Sequence, residues 1–158
     1  MTSQLTQQKS KHTVLVLGSN SFIAKNIISK IFFKKIYCVQ KKKTKQFNKK
    51  NSKYFYFDLL DYRKLKNVID MYDYDKIILC ASNNNNSNNL NKNNIDIFSE
   101  NTNILLNVLE LLKYKKKIKI VNFSSIEIKK KKQSMYSISK KINYQLCNFY
   151  LLCILYSQ

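Results

Sequence analysis

"TVLVLGSNSFIAKNIISKIFFKK", Thr13 to Lys35, decides the fold. Its first five residues form an unbroken apolar, β-branched run, the pattern of a strand buried on both faces of a sheet. The run stops at Gly18, the only glycine in 158 residues. From Ser21 onward, Phe22, Ile23, Ile27, Ile28 and Ile31 recur at helical spacing. Strand, tight turn and helix follow one another directly. In such a unit the free N–H groups and the dipole at the helix N-terminus favour an anion.

Outward from this unit the alternation continues. "KIYCVQ" (Lys35–Gln40) reads as a second strand and "KKKTKQFNKKNSK" as a solvated basic loop. "YFYFDLLD" (Tyr54–Asp61) reads as a third strand ending at Asp58, and "YRKLKNVIDMY" as a helix with Leu65, Val68, Ile69 and Tyr72 on one face. "DKIILCAS" (Asp75–Ser82) is a fourth strand, and "SNNNNSNNLNKNN" (Ser82–Asn94) a surface loop, since asparagine favours turns. "IDIFSENTNILLNVLELLKY" is a long helix with Ile97, Leu105, Val108, Leu109 and Leu112 at three- and four-residue steps. "KIKIVNFSS" (Lys117–Ser125) is a fifth strand. "SMYSISKKINYQLCNFYLLCILY" (Ser134–Tyr156) is a helix that begins amphipathic and becomes apolar all round, which calls for an oligomer or partner to cover it. A β/α alternation of this kind predicts a doubly wound parallel sheet with right-handed crossovers in one domain from 13 to 158, after a polar extension over 1–12. It also puts the asparagine loop at the carboxyl edge, where ligands bind.

Composition limits function less than its charge suggests. Lys+Arg 29 against Asp+Glu 9 gives a net charge of +20, which points to polyanions. Nearly all of it is lysine, however, with Arg63 the sole arginine and proline absent, the signature of an A/T-rich genome. Much of the basicity is therefore read as drift, and glycine motifs are expected to carry serine, alanine or asparagine. A lysine-rich polyanion binder stands as the last of the readings, and nucleic acid is not an expected partner because no recognised nucleic-acid module accompanies the charge. Cys38, Cys80, Cys147 and Cys153 have no CxxC spacing, and His12 is the only histidine, so no metal site is expected. Cysteines inside apolar runs suit a reducing cytoplasm. With no apolar run in "MTSQLTQQKSKH" a secretory signal is not expected, and "FYLLCILY" is too short to span a bilayer.

Two groups of residues suggest chemistry. "GSNSFIA" places Gly18, Ser21 and Ala24 where a G-x-x-G-x-x-G phosphate turn has glycines. The end of the second strand holds Gln40, not the acid that binds a ribose 2′-hydroxyl, and Lys41, Lys42 and Lys43 follow. These lysines suit a 2′-phosphate, favouring NADP over NAD, or are one more lysine run. In "MYSISKKINY", Tyr136 and Lys140 share a helix face one turn apart. A tyrosine with a pKa of about 10 needs such a cation to act as a base near neutrality. Ser125, with Ser124 beside it, ends the fifth strand, where a hydroxyl can hold a substrate oxygen. With 11 tyrosines and so many lysines, a chance Y-x-x-x-K match is the competing account.

In order, these segments resemble the short-chain dehydrogenase/reductase superfamily, in its extended NAD(P)-dependent epimerase/dehydratase branch. "VLVLGSNSFIAKNIISKI" resembles the first strand, GxxGFIG turn and helix, "FDLLD" the D-[ILV]-x-D segment, and "NTNILLNVLELL" the N-x-x-G-T-x-N-[LV]-L-E helix. "VNFSS" and "YSISK" are similar to the serine and tyrosine–lysine motifs. The resemblance implies a Rossmann-like domain that binds NAD or NADP and acts on a nucleotide-activated sugar. It implies cofactor contacts from Gly18, Ser21, Phe22 and Ile23, from Gln40 and Lys41, and from Asp58 and Leu59 against the adenine. Cys80, Ala81 and Ser82 at the fourth strand's end, Asn101, Tyr136 and Lys140 complete the implied set. Tyr136 would be the general acid or base, Lys140 its cationic partner and a ribose contact, and Ser125 the group that orients the substrate. Extended members continue through a sixth strand and a substrate-binding region, most of which this chain is expected to lack. The alternative reading is therefore a non-catalytic dinucleotide-binding remnant or a partner-dependent subunit.

Overall fold

A computed structural model of the chain describes residues 12–43, 50–83, 94–115, 117–129 and 134–156. Residues 1–11 of the polar extension, most of the asparagine loop and part of the lysine loops lie outside these residues.

Five parallel strands form one sheet: β1 (Thr13–Leu17), β2 (Lys35–Gln40), β3 (Ser52–Tyr56), β4 (Lys76–Leu79) and β5 (Lys119–Asn122). Their order is β3-β2-β1-β4-β5, with the strand order reversing at β1. Among the described residues four helices accompany them: α1 (Phe22–Lys30), α2 (Tyr62–Met71), α3 (Asn94–Leu112) and α4 (Met135–Tyr156). A single 3₁₀ turn, Ile126–Lys129, follows β5. This is the expected Rossmann-like architecture.

The twofold period of a strand divides β1 between the two faces. Val14 and Val16, with Ile36, Cys38, Ile78 and Cys80, meet Ala24 and Ile28 of α1. Leu15 and Leu17, with Tyr37, Val39, Ile77 and Leu79, meet Leu65, Val68 and Ile69 of α2 and Leu105, Val108 and Leu112 of α3. Burying each such aliphatic side chain contributes about 1.5–3 kcal/mol, and this term holds helices on both faces. Leu146, Cys147 and Tyr150 of α4 join the α3 side.

Several element boundaries differ from the sequence reading, β4 among them, which spans only Lys76–Leu79. β3 is Ser52–Tyr56 and does not reach Asp58: Phe57 and Leu59 are buried but lie in the turn beyond it, where the Asp58 carbonyl accepts from the Asp61 N–H at 2.8 Å. α1 stops at Lys30, because Ile31 is already extended and the chain must reverse into β2 at Lys35. β5 is only four residues long, at the edge of the sheet.

Candidate functional site

Gly18 sits where β1 turns into α1, with φ at +79°. This left-handed backbone suits glycine, and space demands it as well, since a Cβ would lie 2.5 Å from the Ala81 Cα. The N–H groups of Gly18 and Ser19 both donate to the Val39 carbonyl, at 2.9 and 3.0 Å, which straps the turn to the end of β2. Ser21, read from the sequence as a replaced glycine, is instead the N-cap of α1: its backbone is extended and its Oγ accepts from the Ala24 N–H at 3.2 Å. No glycine is needed there, and serine satisfies one of the helix's orphan donors.

The carboxyl ends of β1, β2 and β4 and the turn after β3 surround a cavity of about 290 Å³. Gly18 and Ser21 line it from the turn, Gln40 and Lys41 from β2, Asp58 and Leu59 from the third crossover, and Cys80, Ala81 and Ser82 from β4. Phe22 and Ile23 do not line it, and their side chains face solvent at the start of α1. Asn20, Phe57, Leu60, Asn83, Glu100 and Ile104 line the cavity without having been anticipated. Asn83 was hidden in an asparagine tract, and Glu100 owes its place to a hydrogen bond from Asn83 Nδ2 at 2.7 Å.

Charge at one end of the cavity is paired. Lys41 Nζ lies 2.6 Å from Asp58 Oδ2, and this contact raises the lysine's pKa, with Glu100 adding to the field. The other Asp58 oxygen accepts from the Leu60 N–H at 3.1 Å. Gln40 is buried and accepts from Ser19 Oγ at 3.2 Å.

Asn101 does not line the cavity either. Its amide clamps the backbone of Asn83, accepting from the N–H at 2.7 Å and donating to the carbonyl at 2.9 Å. It also donates to Ser139 Oγ at 3.2 Å, and its carbonyl accepts from Asn143 Nδ2 at 3.1 Å. Asn101 thus ties the loop after β4 to the face of α4 that carries Tyr136 and Lys140.

Tyr136 and Lys140 occupy one turn of α4, with Lys140 Nζ 5.8 Å from the centre of the Tyr136 ring. Lys140 is buried, and its ammonium donates to the Phe123 carbonyl at the end of β5 at 3.2 Å. Burial lowers its pKa, and the neighbouring Cys80 only partly opposes this. Cys80, also buried, is pushed up to about 11. Ser125 lies two residues beyond Phe123, half-buried, with its carbonyl accepting from the Ile128 N–H at 3.2 Å in the 3₁₀ turn.

The model of the NAD dependent epimerase/dehydratase family matches residues 14–152. The chain belongs to this family. No curated protein matches it. Among solved structures, the UDP-Glc/GlcNAc 4-epimerase of Campylobacter jejuni superposes with a TM-score of 0.77 at 15% identity, over 90% of this chain and 50% of that one. The UDP-glucose 4-epimerase of Bifidobacterium longum, solved with NAD+ and UDP, gives 0.74 at 19% identity, over 89% and 49%. An L-threonine dehydrogenase from Clostridium difficile gives 0.72 at 19%, over 90% and 50%. At these identities the likeness shows the fold. The chain spans about half the length of each of these structures.

Among the described residues no group of histidines, cysteines or carboxylates is arranged to hold a metal. No described helix is long and apolar enough to cross a membrane.

Proposed function

We propose that this chain binds a nicotinamide dinucleotide in the cleft at the carboxyl edge and belongs to an epimerase, dehydratase or reductase acting on a nucleotide-activated sugar. The observation that carries the reading is the cavity at the strand-order reversal, closed beneath by a turn at Gly18 that has no room for a Cβ. Ligands of open α/β sheets bind at this point. The first amides of α1 would face the pyrophosphate, Asp58 and Leu59 the adenine, and Gln40 and Lys41 the adenine ribose. The lack of an acid at Gln40, with Lys41 beside it, favours NADP, because the exposed Lys41–Asp58 pair is weak enough to yield the lysine to a 2′-phosphate. Two of the superposed enzymes are named for UDP-sugars, which supports the substrate class.

Ser125, Tyr136 and Lys140 would carry the proton chemistry. Tyr136 removes the proton from a substrate hydroxyl, or returns one to a carbonyl. The Lys140 cation stabilises the phenolate, and the Ser125 hydroxyl holds the substrate oxygen. When bound, the nicotinamide supplies the hydride acceptor or donor.

Turnover of UDP-glucose or a related nucleotide sugar, followed through the 340 nm absorbance of the reduced nicotinamide or by product analysis, tests this assignment. Tyr136→Phe should lower the rate by roughly a hundredfold to ten-thousandfold and leave dinucleotide affinity within about twofold. Undiminished turnover in the variant would remove Tyr136 from the mechanism. A dinucleotide-binding unit without turnover of its own is the second reading, favoured by a cavity that none of Ser125, Tyr136 and Lys140 lines. Turnover by the isolated chain would eliminate it. Polyanion binding remains the third, and weak binding to heparin or nucleic acid already at low salt would end it.

A further inference from the structure

The edge of the sheet opposite the cleft differs from it in charge and exposure. In a parallel sheet the crossover helices run back against the strands, so the ends of α1, α2 and α3 meet the starts of β2, β4 and β5 on one edge. Hydrogen bonds draw these starts together. The Lys34 N–H donates to the His12 carbonyl at 2.9 Å, the Asp75 N–H to the Thr13 carbonyl at 2.9 Å and the Lys119 N–H to the Asp75 carbonyl at 3.0 Å. At each helix end a large side chain stands in solvent: Ile31 and Phe32 in the turn after α1, Met71 as the last residue of α2, and Tyr114 after α3.

Lysines surround these tips. Lys30, Lys34, Lys35, Lys117 and Lys119 are exposed, and among the described residues none of them is ion-paired. The carboxylates near this edge are mostly engaged: Asp70 with Lys66 and Lys115, Asp75 with the Thr13 N–H at 2.7 Å, and Glu110 with Lys113. Exposed apolar side chains also ring the cleft, but there they lie among Asp58, Asp61, Asp96 and Glu100. Neighbouring lysines without counter-charge repel one another, and a surface of opposite sign relieves this. A nucleic acid would supply the charge, but Ile31 and Met71 cannot stack on bases, and the sole arginine, Arg63, lies at the start of α2 on the other edge. Apolar tips within a lysine rim match a bilayer instead, whose headgroups carry the negative charge and whose acyl boundary takes up apolar side chains.

We propose that the amino-terminal edge docks on an anionic lipid surface, with Ile31 and Phe32 entering the headgroup region and the lysines around them meeting its phosphates. The cleft then faces away from the bilayer, open to solvent. This docking is independent of the dinucleotide reading.

Co-sedimentation of the full chain with vesicles tests it, with phosphatidylcholine alone set against phosphatidylcholine containing about 30% phosphatidylserine. The parent should bind the anionic vesicles about tenfold or more tightly, and lose this advantage as salt rises. Lys34→Gln/Lys35→Gln should weaken binding about tenfold to thirtyfold, at roughly fivefold per lysine. Lys129→Gln/Lys141→Gln, an equal loss of exposed charge away from this edge, should weaken it less than about twofold. Phe32→Ser should weaken vesicle binding about threefold to tenfold and leave binding to heparin unchanged. A parent without preference for the anionic vesicles overturns the proposal. So does an equal loss in the two lysine pairs, which would mean that the charge acts from everywhere on the surface. A folded Phe32→Ser variant that binds vesicles like the parent also overturns it, because a simple polyanion would then suffice. Should that variant not fold, the two lysine pairs keep the proposal falsifiable.

Discussion

Two regions at the carboxyl edge of the sheet are anchored in different ways. On the side formed by β1, β2 and β4, neutral hydrogen bonds and steric contact fix the groups: Gly18 against Ala81, Ser21 on the first turn of α1, Gln40 on Ser19. Where α4 meets the end of β5, a buried charge on the helix lies against a short edge strand, and the Lys140 ammonium meets the Phe123 carbonyl and the field of the Cys80 thiol. The first arrangement holds a shape. The second holds a buried cation whose pKa burial lowers.

Variants on either side sharpen this contrast. Gly18→Ala should show the largest loss of stability, on the order of 3 kcal/mol, from a Cβ forced into the Ala81 backbone and a left-handed φ. Chemical denaturation measures it, and a loss below about 1 kcal/mol would mean that the turn relaxes and the shape is not rigid. Ser21→Ala should cost about 1 kcal/mol by removing the α1 cap, read in the same way.

Lys140→Met should show the smallest effect on stability and the opposite tendency. Since the charged form is disfavoured by burial, the folded-state pKa lies below the unfolded value near 10.5. Between the two, the unfolded chain binds more protons, so stability rises as pH climbs through that window. The variant should lose this alkaline rise and be within about 1 kcal/mol of the parent at neutral pH. A large destabilisation at pH 7 would show that the lysine is a structural anchor like the residues opposite.

Much of the fold was legible because periodicity reports burial. β1, the Gly18 turn and the α3 face of Ile97, Leu105, Val108, Leu109 and Leu112 all follow from it. The same signal misplaced β3: Phe57 and Leu59 are apolar because they plug the core from a turn, and burial alone does not distinguish a turn from a strand. At the site, residue type was legible and role was not. Ser21 looked like a lost glycine but caps a helix, a reading available from the preference of serine for that position. Asn101 looked like a cofactor contact but clamps Asn83 and Ser139, an arrangement that depends on three segments meeting in space. Glu100 and Asn83 gave no signal at all, since one is a surface-type residue on a helix and the other one asparagine among many.

The central claim is that a dinucleotide occupies the cleft over the Gly18 turn. Hydrogen–deuterium exchange of the full chain with and without saturating NADPH tests it most directly. The account predicts slowed exchange confined to the amides of residues 18–24, 40–41, 58–60 and 80–83, with the opposite, amino-terminal edge of the sheet unchanged. Unchanged exchange over residues 18–24, or protection centred on the amino-terminal edge, would contradict it.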